Sequence, residues 1–381
     1  MTIQLRRLVR LEYGNSLESA ARIPGDIPAV GSGGASGNHD VANTDGPVIV
    51  VGRKGSYGSL HWFEKPVFCI DTAYFIDQSC CQTDLRFMYY LLQTLDLRSG
   101  SQDVGVPGLS RRTAYESRVV EPPSLAVQRQ RSQYLDRECA RIGELVSEQQ
   151  SQVRWLRERY LARLADTLMA PETPAGWTDT RVKYLFEYER NGIWGEEPTG
   201  GSDDVKCVRV GDFDRFAFRA GASAQTLRSV PASQRLQRLL RPGDVLLEKA
   251  GGTQEKPVGC AVTYDGAGPS VCSNFVAQLR PTTAHNARYL GLLMAALYQT
   301  KRNGPFVKQT TGIQNLDSHD YLGQWVAIPS RGEQDRIVSL LEAALGTATR
   351  SLAEVQLQVG LLQEHKQALI AAVVTGQKEV A

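Results

Sequence analysis

The chain has no apolar run that could cross a membrane: its 381 residues hold short runs such as Pro47–Val51, where a span needs ~20 residues. The first residues, Met1–Arg7, carry no apolar stretch of the kind a secretory signal uses. Cysteine is sparse and unpaired in pattern. There are seven, none in C-x-x-C spacing, and Cys80 and Cys81 are adjacent. That suits neither a zinc site nor a disulfide framework and points to a reducing cytosol. The five histidines, His39, His61, His285, His319 and His365, are dispersed, and none sits with a Ser or Cys in a nucleophile context. Each therefore reads as structural or surface. A surplus of one charge is missing too. Lys and Arg number 43 against 41 Asp and Glu, a net charge of +2, with no basic tail at either end. A nucleic-acid binder of this composition must concentrate its positive surface locally or share binding with a partner.

What is present supports folded structure. Hydrophobic residues make up 42% and charged residues 22%, enough for the cores of two to three domains and too apolar for wholesale disorder. The dominant feature is an internal repeat. Gly105-Val106-Pro107-Gly108-Leu109, Tyr115, Pro123 and Gln128-Arg129 return as Gly312-Ile313-Gln314-Asn315-Leu316, Tyr321, Pro329 and Gln334-Asp335-Arg336. Upstream, Arg86–Leu92 matches Arg288–Met294, and Cys69-Ile70-Asp71-Thr72-Ala73 aligns with Val271-Cys272-Ser273-Asn274-Phe275. Ordered matches at nearly constant offset predict a duplicated plan.

Each copy ends in a long helical stretch, about Leu125 to Met169 and about Gly332 to Val374. In the first, Leu135, Ile142, Leu145, Val153, Leu156, Tyr160, Leu164 and Leu168 recur at helical spacing. In the second, Ile337, Leu341, Leu345, Ala348, Leu352, Val355, Val359, Leu362, Lys366, Leu369 and Val373 alternate steps of three and four, with Lys366 as the one interruption. At about 1.5 Å per residue each helix spans roughly 60–65 Å. Two such seams predict that the helices pack on each other.

The segments before the helices mix short β-branched runs with glycine turns and read as α/β domains. Two turns stand out. Gly52-Arg53-Lys54-Gly55-Ser56-Tyr57-Gly58 follows the strand at Val48–Val51, and Lys249-Ala250-Gly251-Gly252-Thr253-Gln254-Glu255-Lys256 follows Val245–Leu247. Glycines let a backbone approach closely, and these polar side chains donate to phosphates and bases. The glycine spacing is neither a dinucleotide fingerprint nor a P-loop. Pro242-Gly243-Asp244 with Glu248-Lys249 resembles a metal-nuclease motif, but Leu247 stands where the second carboxylate belongs. No Asn/Asp-Pro-Pro-Tyr motif of an adenine methyltransferase occurs; Glu121-Pro122-Pro123-Ser124 lacks the aromatic.

Val50–Gly58, Asp71–Tyr74, Arg86–Leu92, Gly105–Leu109 and Pro122-Pro123 before a long helix resemble the specificity subunit of type I restriction-modification enzymes. So do Leu240–Leu246, Gly312–Leu316 and Ile328-Pro329 through Glu333-Gln334-Asp335-Arg336-Ile337 in the second half. One departure is Val127-Gln128-Arg129, where the family usually has Glu-Gln before the basic residue. The resemblance implies an α/β (α+β) chain: two target-recognition domains, 1–121 and 171–329, and two spacer helices, 122–170 and 330–381, packed as an antiparallel coiled coil. It implies bipartite recognition of double-stranded DNA, no catalytic site, no metal and no cofactor in this chain. Its partners would be two methyltransferase subunits, with restriction subunits where the system also cleaves. S-adenosylmethionine, ATP and Mg would belong to those partners, and the setting would be the prokaryotic cytoplasm, on the nucleoid, in antiviral defence. Candidate DNA contacts are Ser32, Asn38, His39, Arg53, Lys54, Ser56 and Tyr57 in the first domain. In the second they are Lys249, Thr253, Gln254, Lys256, Lys308, Gln309 and Thr310. The competing expectations are a non-catalytic coiled-coil scaffold that binds proteins and a divergent nuclease or ATPase.

Overall fold

A computed structural model describes residues 1–98, 107–169, 174–310 and 312–380. The chain forms two compact units, Met1–Gln150 with Gln356–Ala381, and Ser151–Val355. Each combines mixed sheets with parts of two long helices, Leu125–Leu168 and Arg331–Thr375. The structure is thus mixed α/β.

In the first unit, strands Glu12–Tyr13, Ala73–Asp77, Val48–Gly52 and Leu60–Phe63 form an antiparallel sheet in that order. A three-stranded sheet, Gly34–His39, Ile27–Gly31 and Phe68–Cys69, lies beside it. Val48–Val51 is apolar without alternation because both its faces are covered. Ile49 and Val51 join the larger core with Tyr74 and Ile76, while Val48 and Val50 join a second cluster with Val30, Val67 and Cys69. The helix Leu85–Gln93 buries Phe87, Met88 and Leu91 in the larger core.

In the second unit, a five-stranded sheet runs Phe186–Asn191, Val276–Pro281, Val245–Glu248, Ala261–Tyr264, Arg219–Ala220. Strands Leu227–Ser229, Asp204–Val208 and Ser270–Cys272 form a second sheet. Ala250–Gly251, Ile313–Leu316 and Val307–Thr310 form a third. The helix Ala287–Gln299 is buried from Tyr289 to Leu297, which is why its sequence is apolar on every side.

The duplication is written in hydrogen bonds. Asp84 caps the helix Leu85–Gln93 by accepting from Phe87 N, and Asn286 caps Ala287–Gln299 by accepting from Tyr289 N. Both cap residues donate their backbone N–H to a buried glutamine on a long helix: Asp84 N to Gln128 Oε1 at 2.8 Å, Asn286 N to Gln334 Oε1 at 2.9 Å. The other end of each amide donates to a proline carbonyl just before that helix, Pro123 or Pro329. Arg86 then pairs with Asp136 and Arg288 with Glu342, each at 2.6 Å. The glutamine is the residue that carries the junction, so Val127 before Gln128 leaves it intact.

One part of the sequence alignment shifts. Cys69 and Ile70 match Cys272 and Ser273, not Val271 and Cys272. Asn15 N donates to Cys69 O and Ile193 N to Cys272 O. Ala73 N donates to Ile70 O and Val276 N to Ser273 O. Short runs of small residues look alike one step apart, but a one-residue slip reverses which face each side chain takes.

The long helices span 44 and 45 residues. In the first unit, Leu135, Cys139 and Ile142 share a core with Leu369, Ile370, Val373 and Val374, and Arg131 donates to Val374 O. In the second unit, Leu164 and Leu168 share a core with Ile337 and Leu341, and Tyr160 clusters with Leu345 and Ala348. The seam of the second helix is buried at Ile337, Leu341, Leu345, Ala348, Leu352, Val355, Leu369 and Val373. In the first helix one expected seam residue is wrong: Leu145 is 40% exposed, and its neighbour Val146 packs on the core instead. Steps of three and four through Cys139, Ile142, Val146 and Gln149 keep the stripe on one face, and Leu145 falls beside it.

All seven cysteines are free and buried. Burial pushes the Cys69 and Cys272 thiols up to about 12, so they stay protonated. Among the described residues no helix is long and apolar enough to cross a membrane.

Candidate nucleic-acid interface

In the first unit the strand Val48–Gly52 delivers the glycine loop. Gly52 N donates to Ser59 O and Gly58 N to Gly52 O, closing the loop on itself. A Cβ at Gly52 would collide with Ser56 O and Ser59 Oγ, so only glycine fits. Gly55 and Gly58 take φ of +70° and +73°, a region costly for other residues. Beyond the strand, Arg53 N and Lys54 N both donate to Thr72 O, and Arg53 O accepts from Leu109 N. This pins the backbone under Arg53 and leaves Lys54 and Ser56 exposed. Tyr57 is half-buried against the core.

The second unit repeats the frame with different side chains. Lys249 N and Ala250 N donate to Phe275 O, and Lys249 O accepts from Leu316 N. Arg53 and Lys249 are therefore equivalent, as are Thr72 and Phe275. Thr253 and Lys256 close a turn: Thr253 N donates to Lys256 O, and Lys256 N to Thr253 Oγ1. Thr253, Gln254 and Lys256 are exposed on it. Lys249 Nζ is held by Asn191 Oδ1.

The remaining candidates divide. Ser32 is buried against the glycine loop, with its carbonyl accepting from Ser59 Oγ and contacting His61 Nε2. Asn38 is exposed on the strand Gly34–His39. His39 is buried, edge-on to Phe68, and its Nδ1 accepts from Ile23 N, so its ring is committed to the fold. Lys308 is exposed on Val307–Thr310 but its charge is paired with Asp317 at 2.6 Å. Gln309 is exposed beside it. The side chain of Thr310 lies outside the described residues, as do Gly105 and Val106.

The acids that resembled a nuclease motif are occupied. Asp244 accepts from Arg280 Nε and NH2, Gln278 Nε2 and Arg241 N, all at 2.7 Å. Glu248 is buried and paired with Arg215 at 2.9 Å; burial pushes its carboxyl up, against the opposing pull of Arg215. Among the described residues no three His, Cys, Asp or Glu side chains converge on a metal-sized site.

Sequence reasoning missed several groups around these loops. Tyr13, on the edge strand Glu12–Tyr13, lies with its ring beside Arg53 at 5.1 Å and Arg111 at 4.1 Å. In the second unit a cavity of about 460 Å³ opens beside Phe275, lined also by Trp194, Arg209, Ser273 and Asn274. Arg228 stacks on Trp194 at 4.5 Å. These groups come together through strand pairing across long sequence separations, which leaves no local signal.

No family model matches the sequence, and no curated protein is significantly similar to it. Solved structures do match. A chain from work described as the structural basis underlying complex assembly and conformational transition of the type I R-M system aligns over 99% of this chain and 98% of its own. The TM-score is 0.68 at 14% identity. The HsdS subunit from Thermoanaerobacter tengcongensis covers 99% of this chain and 97% of its own, at 16% identity and a TM-score of 0.46. The S subunit of a type I restriction-modification system from M. genitalium covers 98% and 95%, at 16% identity and 0.40. The first of these alignments shows that the whole chain shares the fold of that R-M chain.

Proposed function

We propose that this chain is the DNA-specificity subunit of a type I restriction-modification complex. The observation that carries the reading is the pair of equivalent loops. Arg53 and Lys249 leave the same backbone position in two copies of one frame, yet the side chains around them differ. Two readers of one architecture and different chemistry suit a target of two dissimilar half-sites, with spacing fixed by geometry. In this reading residues 1–121 and 171–329 are the recognition domains. Residues 122–170 and 330–381 form an antiparallel coiled-coil spacer.

Lys54, Ser56, Thr253, Gln254, Lys256, Gln309 and Asn38 are the exposed candidates for base and phosphate contact, with Arg53 and Lys249 anchored beneath them. Lys308 joins them only by giving up Asp317. The chain has no chemistry of its own. Two methyltransferase subunits supply S-adenosylmethionine-dependent methylation of adenine, and restriction subunits add ATP- and Mg-dependent cleavage. The near-neutral net charge fits a subunit that shares DNA binding with them.

A coiled-coil scaffold is the second reading. It is favoured by Trp155, Leu357 and Leu361, which are exposed on the long helices. Binding of the chain with its methyltransferase to a pool of random duplexes, followed by sequencing of the bound fraction, separates the two. Enrichment of a split motif with a fixed gap supports the specificity subunit. Protein assembly without sequence enrichment supports the scaffold.

A further inference from the structure

Tyr13 closes a two-residue edge strand whose partners are Tyr74 and Phe75. Its ring rests on Tyr74, at 5.1 Å, yet the residue is 47% exposed. Two guanidinium groups stand against that ring, Arg53 from the glycine loop and Arg111 from the helix Arg111–Glu116. Among the described residues neither pairs with a carboxylate. Glu12 is taken by Arg10 and Glu116 by Arg112, while Asp71 gives Arg53 only its carbonyl oxygen, at 2.8 Å. Arg111 Nε is buried with no hydrogen-bond partner among the described residues.

Partly buried arginines elsewhere divide: Arg131, Arg181, Arg190 and Arg302 donate to backbone carbonyls and meet no acid among the described residues, whereas others are paired. Arg86, Arg215, Arg219, Arg228, Arg280 and Arg288 each meet an acid. Two cations held on one ring repel each other, and an aromatic face at an exposed site offsets little of that repulsion. An anion placed between them removes the repulsion.

We infer that Tyr13, Arg53 and Arg111 form an aromatic-braced clamp for a backbone phosphate of duplex DNA. The inference rests on the DNA-reading function above and adds to it two residues, Tyr13 and Arg111, and a role. The ring holds both guanidiniums outward, and phosphate accepts from both. The second unit lacks the clamp at the equivalent place; its own ring between two guanidiniums, Tyr188 with Arg190 and Arg280, lies at a different position on the strand Phe186–Asn191, and there Arg280 is taken by Asp244. Asn191 stands in the place of Tyr13 and holds Lys249, while Ser318 follows the capping Asp317 where Arg111 follows the capping Ser110.

The test is a gel shift of the full-length chain in complex with its methyltransferase subunits on a pool of random duplexes across a range of KCl concentrations. Each phosphate contact contributes about 0.9 to the slope of log affinity against log salt. Arg111→Ala should weaken binding across the pool and reduce that slope by about one. Tyr13→Ala should do the same, and Tyr13→Phe, which keeps the ring, should match the wild type. Arg112→Ala, on the same helix but paired with Glu116, should keep a slope closer to the wild type than Arg111→Ala does. Because Tyr13 packs on Tyr74, Arg111→Ala keeps the test decisive where Tyr13→Ala unfolds. A wild-type slope in folded Arg111→Ala overturns the clamp and leaves the DNA reading standing. Failure of the wild type to shift any duplex overturns both.

Discussion

A few buried side chains hold each α/β domain to its long helix, and their loss should be measurable. Gln334 uses both ends of its amide, accepting from Asn286 N and donating to Pro329 O, in a site almost sealed from water. Gln334→Ala strands that donor and acceptor and should lower unfolding stability by about 1–3 kcal/mol in urea titration. Glu342 faces Arg288 and Arg219. Burial pushes its carboxyl up, but the two guanidiniums outweigh this and hold it below its ordinary 4.5. A carboxyl lowered on folding stabilises above its unfolded value, and that contribution is lost as pH falls through the folded value. Glu342→Gln should therefore flatten the loss of stability below about pH 4.5, as followed by thermal melts. Residue roles were the least legible part of the sequence. His39 looked like a surface donor on a polar loop, yet strand pairing turns it onto Phe68. Tyr13 and Arg111 are nearly a hundred positions apart and meet only once the edge strand and the helix Arg111–Glu116 are in place.

The helices were the most legible elements, because their signal is periodic and local. The steps of three and four from Ile337 to Val373 appear as a buried stripe, and a truncation on it should be costly. Leu341→Ala should cost about 2–5 kcal/mol by denaturant titration. Leu145→Ser on the other helix should stay within about 0.5 kcal/mol, since that side chain points to solvent. The sequence favoured Leu145 over Val146 because leucine is the stronger apolar mark. Polar Gln149, which continues the stripe, gave no sign of the true register. Strands were legible where both faces are covered, as at Val48–Val51. Two-residue edges such as Glu12–Tyr13 were not, because a single alternation carries no period.

At the scale of the whole chain the duplication was readable because its anchors, Arg86 and Arg288, Gln128 and Gln334, perform identical bonding. The one-step error at Cys69 arose where no such anchor exists. Under the proposed function the two long helices set the separation of the half-sites, and four residues added to each lengthen it by about 6 Å. With ~3.4 Å of duplex per base pair, the gap in the enriched motif should widen by one to two pairs while both half-sites stay the same, which sequencing of the bound pool would show. A further consequence lies in two small ladders. Thr2–Gln4 pairs with Arg118–Val120, and Thr178–Arg181 with Trp325–Ile328. Each α/β domain thus begins and finishes at one doorway beside a long helix, like a cartridge seated by a single collar. Under the proposed function, everything beyond the collar is exchangeable for a foreign domain, giving a new target while the helices and whatever they engage stay as they are.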